Sequence, residues 1–297
     1  MSEDGFRAGF VTLVGRPNVG KSTLTNALAG HKVAITSSKP QTTRRTIRGI
    51  VHRPEGQIVL VDTPGIHRPR TLLGKRLNEL VESTLAEVDL IAHLIPATEK
   101  VGPGDRHIRE TISTFPRAKK VAVVTKTDQA SRDQIGERLI EVDAMGEWDL
   151  IIPVSAVTGE QLDVLVRELL ALLPHSPALY PAEDLYDDDQ NTRIAELIRE
   201  AALEDVRDEL PHSLAVTIEE RVREEGAIEK IFANVVVERD SQKRIIIGTG
   251  GERLKRIGSD ARAEIEAELG HRVYLSLHVR VEKEWQRDAK KLGRLGF

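Results

Sequence analysis

Short apolar runs alternate with amphipathic helical stretches along residues 1–173. That rhythm is the one a mostly parallel sheet imposes when helices cover both of its faces. The expected strands are residues 10–14, 58–61, 90–95, 121–124 and 150–154, and each gives way to a polar or glycine-containing turn. In such sheets ligands sit beyond the carboxyl ends of the strands, so chemistry is expected in those turns.

The rhythm changes after residue 173. Pro174, Pro177 and Pro181, followed by the acidic stretch 183–189, are too rich in proline for a helix and too charged for a core, so residues 174–190 read as a linker. Ile194, Leu197, Ile198 and Ala201 then recur at helical spacing, while Leu214, Val216 and Ile218 alternate as in a strand. Residues 231–237 give a second strand, 241–247 a short helix, 248–251 a turn and 252–269 a longer helix. Leu254, Ile257, Ala261, Ile265 and Leu269 share one face of that helix, and Val273, Leu275, Leu277, Val279 and Val281 alternate along a last strand. Residues 191–297 therefore read as an α+β domain of order α-β-β-α-α-β.

Composition narrows the picture. A chain of 297 residues can bury two cores, in keeping with the change of rhythm. Cysteine is absent, which removes disulfides and thiolate sites and fits a reducing compartment. With no long apolar stretch and no leader pattern, a cytoplasmic, monomeric protein is expected. The net charge of −4 is unevenly spread: residues 182–240 hold 7 basic and 18 acidic side chains, residues 241–297 hold 13 and 8. A local basic surface of that kind suits a polyanion, because phosphate attraction depends on the nearby field.

Gly15-Arg-Pro-Asn-Val-Gly-Lys-Ser22 fits G-x-x-x-x-G-K-[ST] between a strand and a helix, the setting a phosphate-binding loop requires. Gly15, Asn18, Val19, Gly20, Lys21, Ser22 and Thr23 are expected around the phosphates of GTP or GDP. Lys21 supplies charge to the β and γ phosphates and Ser22 a hydroxyl to Mg²⁺. Asp62 and Gly65, in Asp62-Thr-Pro-Gly65 after a strand, are expected to hold Mg²⁺ through a water and to meet the γ phosphate. Between them, Thr43, with Thr42 second, is the candidate for closing over Mg²⁺ and the γ phosphate.

The base is read by Thr125-Lys-Thr-Asp128 and by Ser155 and Ala156, each just past a strand. A carboxylate at Asp128 accepts from the ring N–H and the exocyclic amine of guanine together; adenine offers no such pair and would leave the carboxylate unpaired. Lys126 would lie along the base and the Ala156 N–H would meet the guanine carbonyl. The expected activity is GTP hydrolysis, with Lys21, Thr43 and Gly65 acting on the transferred phosphate. Ile66 stands where a water-orienting glutamine occurs in related switches, so turnover should be slow.

Gly248-Thr-Gly-Gly251 lies between two helices inside the α-β-β-α-α-β order, the arrangement of a type-2 KH domain whose glycine turn clamps backbone nucleotides. Aromatics make up only 3% of the chain, which disfavours base-stacking sheet platforms. The expected RNA contacts are Gly248, Thr249, Gly250 and Gly251, the basic Lys243, Arg244, Arg253, Lys255 and Arg256, and an aliphatic wall from Ile246 and Ile257.

The ordered nucleotide motifs resemble those of the translation-factor-related GTPases. Asn18, the Pro40-Gln-Thr-Thr-Arg run and the RNA-binding domain after the linker resemble the bacterial Era-type GTPases over essentially the whole chain. That resemblance implies binding to the 3′ end of 16S ribosomal RNA, a role in assembling the 30S subunit, and a K⁺ ion held against the phosphates by Asn18. Thr125 departs from the pattern, which usually has asparagine there; a hydroxyl keeps one hydrogen bond of the amide and not two. Two rival readings stay open: a GTPase whose second domain binds protein, and an RNA scaffold with a structural nucleotide site. Peripheral association of the basic surface with the inner face of the cell membrane also stays open.

Overall fold

Strand β1 (Arg7–Val14) is central to the first sheet because its apolar residues are buried on both faces. The computed structural model describes residues 5–36, 47–64, 71–187, 189–204, 213–224 and 226–297. β1 pairs in parallel with β3 (Gly56–Asp62) on one side and β4 (Leu90–Pro96) on the other. β5 (Lys119–Thr125) and β6 (Leu150–Pro153) continue in parallel beyond β4. β2 (Ile47–Arg53) and the two-residue β7 (Tyr186–Asp187) close the far edge antiparallel, giving the order β6-β5-β4-β1-β3-β2-β7. The strand order reverses around β1, so the crevice beyond Val14, Asp62 and Pro96 is a topological switch point where such folds take ligands.

Period-two alternation sorts the core into two layers. On β4, Leu90, Ala92 and Leu94 pack with Leu24 and Leu28 of α1 (Lys21–Ala29) and Leu165 and Leu169 of α5 (Leu162–Leu172). Ile91 faces the other way, with Val81 and Leu85 of α2 (Leu72–Glu87) and Ile108 and Ile112 of α3 (Pro103–Ser113). The remaining helix, α4 (Arg132–Asp143), starts at Ser131, whose Oγ accepts from Gln134 N at 3.2 Å while the Gln134 side chain accepts from Ser131 N.

Residues 174–187 of the expected linker belong to the first unit, and β7 among them extends its sheet. Gln57 is fully buried, and its carboxamide accepts from Leu179 N and Tyr180 N and donates to the Tyr180 carbonyl. The proline-rich segment thus supplies most of the partners of a buried polar side chain on β3, the His52 ring supplying another. Among the described residues, 5–34, 47–64 and 76–187 make up one compact unit, and 35–36, 71–75, 189–204, 213–224 and 226–297 the other.

The second unit follows the expected order: α6 (Gln190–Leu203), β8 (Ala215–Val222), β9 (Glu229–Val237), α7 (Asp240–Ile247), α8 (Glu252–Leu269) and β10 (Val273–Val281). The crossover through α7 and α8 returns β10 parallel to β9, whereas the hairpin makes β8 antiparallel to it. Ile194, Leu197 and Ile198 of α6 meet Ile257, Ala261 and Ile265 of α8 over the sheet. A C-terminal helix α9 (Ala289–Arg294), absent from the sequence reading, follows buried Trp285, which stacks on Phe297 at 5.6 Å.

Candidate functional site

The loop after β1 needs its glycines for steric reasons. A Cβ on Gly15 would come within 2.7 Å of Val19 and 2.9 Å of the Leu94 carbonyl. Asn18 (φ 64) and Gly20 (φ 101) both take the left-handed conformation, which turns successive N–H groups of such a loop towards one anion. α1 begins immediately afterwards, adding its N-terminal dipole. The Lys21 ammonium crosses the loop and donates to the carbonyls of Gly15 (3.1 Å) and Arg16 (3.0 Å). Burial pushes its pKa down to about 8, against an upward pull from Asp62.

Ser22 lies in the first turn of α1 and Asp62 closes β3, and the Ser22 hydroxyl donates to Asp62 Oδ2 at 3.3 Å. Two hard oxygen donors at the mouth of a phosphate loop suit Mg²⁺, which keeps waters and shares phosphate oxygens. Thr43, Gly65 and Ile66 lie outside the described residues, as do Thr42, Arg44 and Arg45. Arg16 is committed elsewhere, bound to Asp105 at 2.8 Å and Glu99 at 3.0 Å. His93 on β4 was not singled out by sequence. It is fully buried, and burial first, then Arg109, Arg16 and Lys21, lowers its pKa to about 3, so the ring stays neutral.

The expected base-reading residues converge on this loop. The Thr125 hydroxyl donates to the Val19 carbonyl at 2.8 Å, and Lys126, with φ 59, donates through Nζ to the Asn18 carbonyl at 2.7 Å. Ser155 Oγ donates to Asp128 Oδ1 at 2.6 Å and accepts from Thr158 N at 3.1 Å. The carboxylate is therefore oriented before any base arrives, with its second oxygen available for directional acceptance. Glu160, missed by sequence, braces both loops: its carbonyl accepts from Ser155 N and its carboxylate from the Thr127 hydroxyl.

A second concave site lies in the other unit. A groove of about 940 Å³ is lined by Arg244, Ile245, Ile247, Gly248, Thr249, Glu252, Arg253 and Arg256. Gly248 (φ 73), Gly250 (φ 60) and Gly251 (φ 84) form the turn between α7 and α8. A Cβ on Gly248 would come within 2.8 Å of the Arg253 Cβ, so this glycine is required, while Gly250 has open space around it. Arg253 Nη1 donates to the Ile245 carbonyl at 3.1 Å, aligning a guanidinium beside the turn.

The expected aliphatic wall is corrected. Ile246 is completely buried and Ile257 is 3% exposed, both in the core cluster; Ile245 and Ile247 line the groove instead. Each residue turns a helix by about 100°, so the neighbours of a core residue face outward. Lys243, Lys255, Gly250 and Gly251 are not among the lining residues.

Comparison with known proteins gives each unit a family. Residues 10–127 match the family described as 50S ribosome-binding GTPase, and residues 209–286 match the KH domain. The chain is 58% identical to GTPase Era of Nocardioides sp. strain JS614, covering 98% of this chain and 96% of the relative. It is 60% identical to GTPase Era of Mycobacterium avium, over 98% and 99%. Among solved structures, Aquifex aeolicus Era bound to GDP·AlF4⁻ superposes with a TM-score of 0.94 at 37% identity, over 98% of this chain and 99% of that one. Equally similar is an Era complex with MgGDPNP and nucleotides 1506–1542 of 16S ribosomal RNA, also at 0.94 and 37% over 98% and 99%.

Proposed function

The chain belongs to the GTPase Era family, and we propose that it is a slowly hydrolysing GTP switch whose KH domain holds the 3′ end of 16S ribosomal RNA during assembly of the 30S subunit. One observation carries most of this reading: a preoriented guanine acceptor, Asp128 held by Ser155, is tied into the phosphate loop, while a glycine-turn groove rimmed by arginines forms a second site. Neither site alone distinguishes this role from a plain GTPase or a plain RNA-binding module.

At the nucleotide site, Lys21 and the loop amides balance phosphate charge, and more strongly as charge shifts onto the β–γ bridge and γ oxygens during transfer. Ser22 and Asp62, with Thr43, would hold Mg²⁺, which supplies further charge stabilisation. Asn18, held left-handed beside Lys126, would hold K⁺ where other GTPases use an arginine finger; Arg16, bound by two carboxylates, is poorly placed for that work. Ile66 in place of a water-orienting glutamine supports slow intrinsic turnover. The γ-phosphate-sensing residues Thr43 and Gly65 then report nucleotide state to the loops that carry them.

At the groove, turn N–H groups and Arg244, Arg253 and Arg256 meet backbone phosphates, while Ile245 and Ile247 offer apolar contact to bases. The test of the guanine assignment is Asp128→Asn. GTP affinity should fall and xanthosine triphosphate affinity should rise, because an amide can donate to the added carbonyl. Unchanged GTP affinity would remove Asp128 from the base site.

A further inference from the structure

Arg16 follows Gly15 in the loop after β1, and its carbonyl is one of the two that accept from the Lys21 ammonium. Its side chain runs to α3. Nε donates to Asp105 Oδ1 at 2.8 Å, and Nη2 pairs with Glu99 at 3.0 Å. The stem lies close over the first turn of α3, where a Cβ on Gly104 would come within 2.9 Å of the Arg16 Cδ. Arg16 and Asp105 are 89 residues apart in the chain, so only the fold brings them together.

Asp105 is fully buried. A carboxylate taken out of water must be paired and hydrogen-bonded, and its two oxygens divide that work. Oδ1 accepts from Arg16, and Oδ2 accepts from Gly102 N at 2.8 Å. The second bond closes the N-terminus of α3, as acidic residues at this position commonly do. Helix ends are routinely closed by exposed side chains, so closure explains neither the full burial of Asp105 nor the guanidinium beside it.

A strut positions something only if its far end is fixed. Between β4 and α3, Ala97 N donates to the Thr125 carbonyl at 2.8 Å, and Val101 N donates to Glu141 Oε2 at 3.0 Å. Glu141 belongs to α4 and also binds buried Arg138. Residues 97–105 are thus tied to β5, to α4 and to the helix they start. The near end is a loop with left-handed residues at 18 and 20, and ordering such a loop costs conformational entropy. A contact that orders it before nucleotide arrives leaves more of the phosphate interaction as affinity.

We infer that Asp105 is a positioning residue for the phosphate site. Through Arg16 it fixes the Gly15 and Arg16 carbonyls that orient Lys21, and, being fully buried, it touches no nucleotide itself. This goes beyond the switch reading and rests on the loop after β1 being the phosphate site. Lys21 serves the β and γ phosphates, so the strut contributes to binding of GDP and GTP and not of GMP, which has neither. A brace that served only the fold would show no such dependence on phosphate number.

The experiment titrates the full-length parent, Arg16→Ala, Arg16→Lys, Asp105→Asn and the double variant Arg16→Ala, Asp105→Asn with fluorescent GMP, GDP and GTP, beside thermal unfolding. Asp105→Asn keeps the shape and one acceptor, which Gly102 N can take, and turns an amide N–H towards the guanidinium. Each of Arg16→Ala and Asp105→Asn should weaken GDP and GTP about tenfold and leave GMP within about twofold. Arg16→Lys retains a charged donor towards Asp105 and should recover part of the loss. The double variant should lose no more than either single one, because the two side chains act through one contact. Arg16 is partly exposed, so its variants decide the matter even if the buried position tolerates no change. Parental GDP and GTP affinity in folded Arg16→Ala overturns the inference. Equal loss on GMP overturns it too, because the effect then arrives through the base loops or the fold. Additive losses in the double variant would mean that the residues act separately, which also overturns it. A parent that binds GTP no more tightly than GMP defeats the phosphate-loop reading, and the strut with it.

Discussion

The Thr125 hydroxyl donates to the Val19 carbonyl at 2.8 Å, joining the base-reading loop after β5 to the phosphate loop after β1. The single hydrogen bond that threonine keeps from the usual asparagine is therefore the one between loops. Both groups are buried, so a Thr125→Val variant leaves a carbonyl unsatisfied, at a cost of about 1–3 kcal/mol. GTP affinity should fall roughly tenfold by fluorescent-nucleotide titration. Thr125→Asn should bind at least as well as the parent; a weaker Thr125→Asn would show that the site has adapted to the smaller side chain.

Lys21 makes nucleotide binding depend on pH. Its pKa of about 8 arises from burial and should rise when phosphates arrive beside it. A group whose pKa is higher in the complex contributes its full affinity below the free value and loses it as pH rises. GTP binding should therefore take up protons near pH 8 and weaken above it. Titration calorimetry in buffers of different ionisation enthalpy measures the uptake directly, and enthalpies independent of buffer would contradict it.

His93 governs part of the acid response. Its folded pKa of about 3 lies below the ordinary 6.5, so between those values the unfolded chain binds the extra proton. Stability is complete above pH 6.5 and falls with acid at up to about 1.4 kcal/mol per pH unit from this one residue. His93→Leu should flatten the dependence of unfolding free energy on pH between about 6 and 4 by one proton. An unchanged slope would mean that the ring is solvated.

The groove correction yields a pair of opposite results. Ile246→Ala removes a fully buried side chain and should cost about 2–5 kcal/mol of stability, seen as a lowered melting temperature. Ile245→Asp, at a position 46% exposed, should leave melting nearly unchanged and weaken RNA, because it places a carboxylate in a groove meant for phosphate.

What the sequence made legible follows from what constrains it. The phosphate loop, the base loops and the Gly248 turn were readable because steric and hydrogen-bonding demands fix residue types at fixed offsets. Strands with strict apolar runs were equally plain. β2 was missed because Arg48, Gly49 and His52 interrupt its apolar positions, and its identity comes from pairing with β3. The docking of residues 179 and 180 depends on Gln57, and β7 on its pairing with Arg48 and Gly49, contacts over 120 residues away that no local pattern encodes. Choosing Ile246 over Ile245 for the groove failed because three consecutive isoleucines do not reveal their helical phase.

The claim that two binding activities occupy separate sites in one chain is tested most directly by Thr249→Asp with Gly250→Asp. Thr249 is exposed and Gly250 has open space around it, so both carboxylates can be housed without disturbing the core. Asp tolerates the left-handed backbone at Gly250 better than most residues. Binding of a single-stranded pyrimidine RNA and of a fluorescent guanine nucleotide should be measured side by side, with thermal unfolding as the control. The account predicts a folded protein with parental GTP affinity and RNA affinity reduced at least a hundredfold, on the order of 3 kcal/mol or more. A folded variant that holds RNA as tightly as the parent would contradict it.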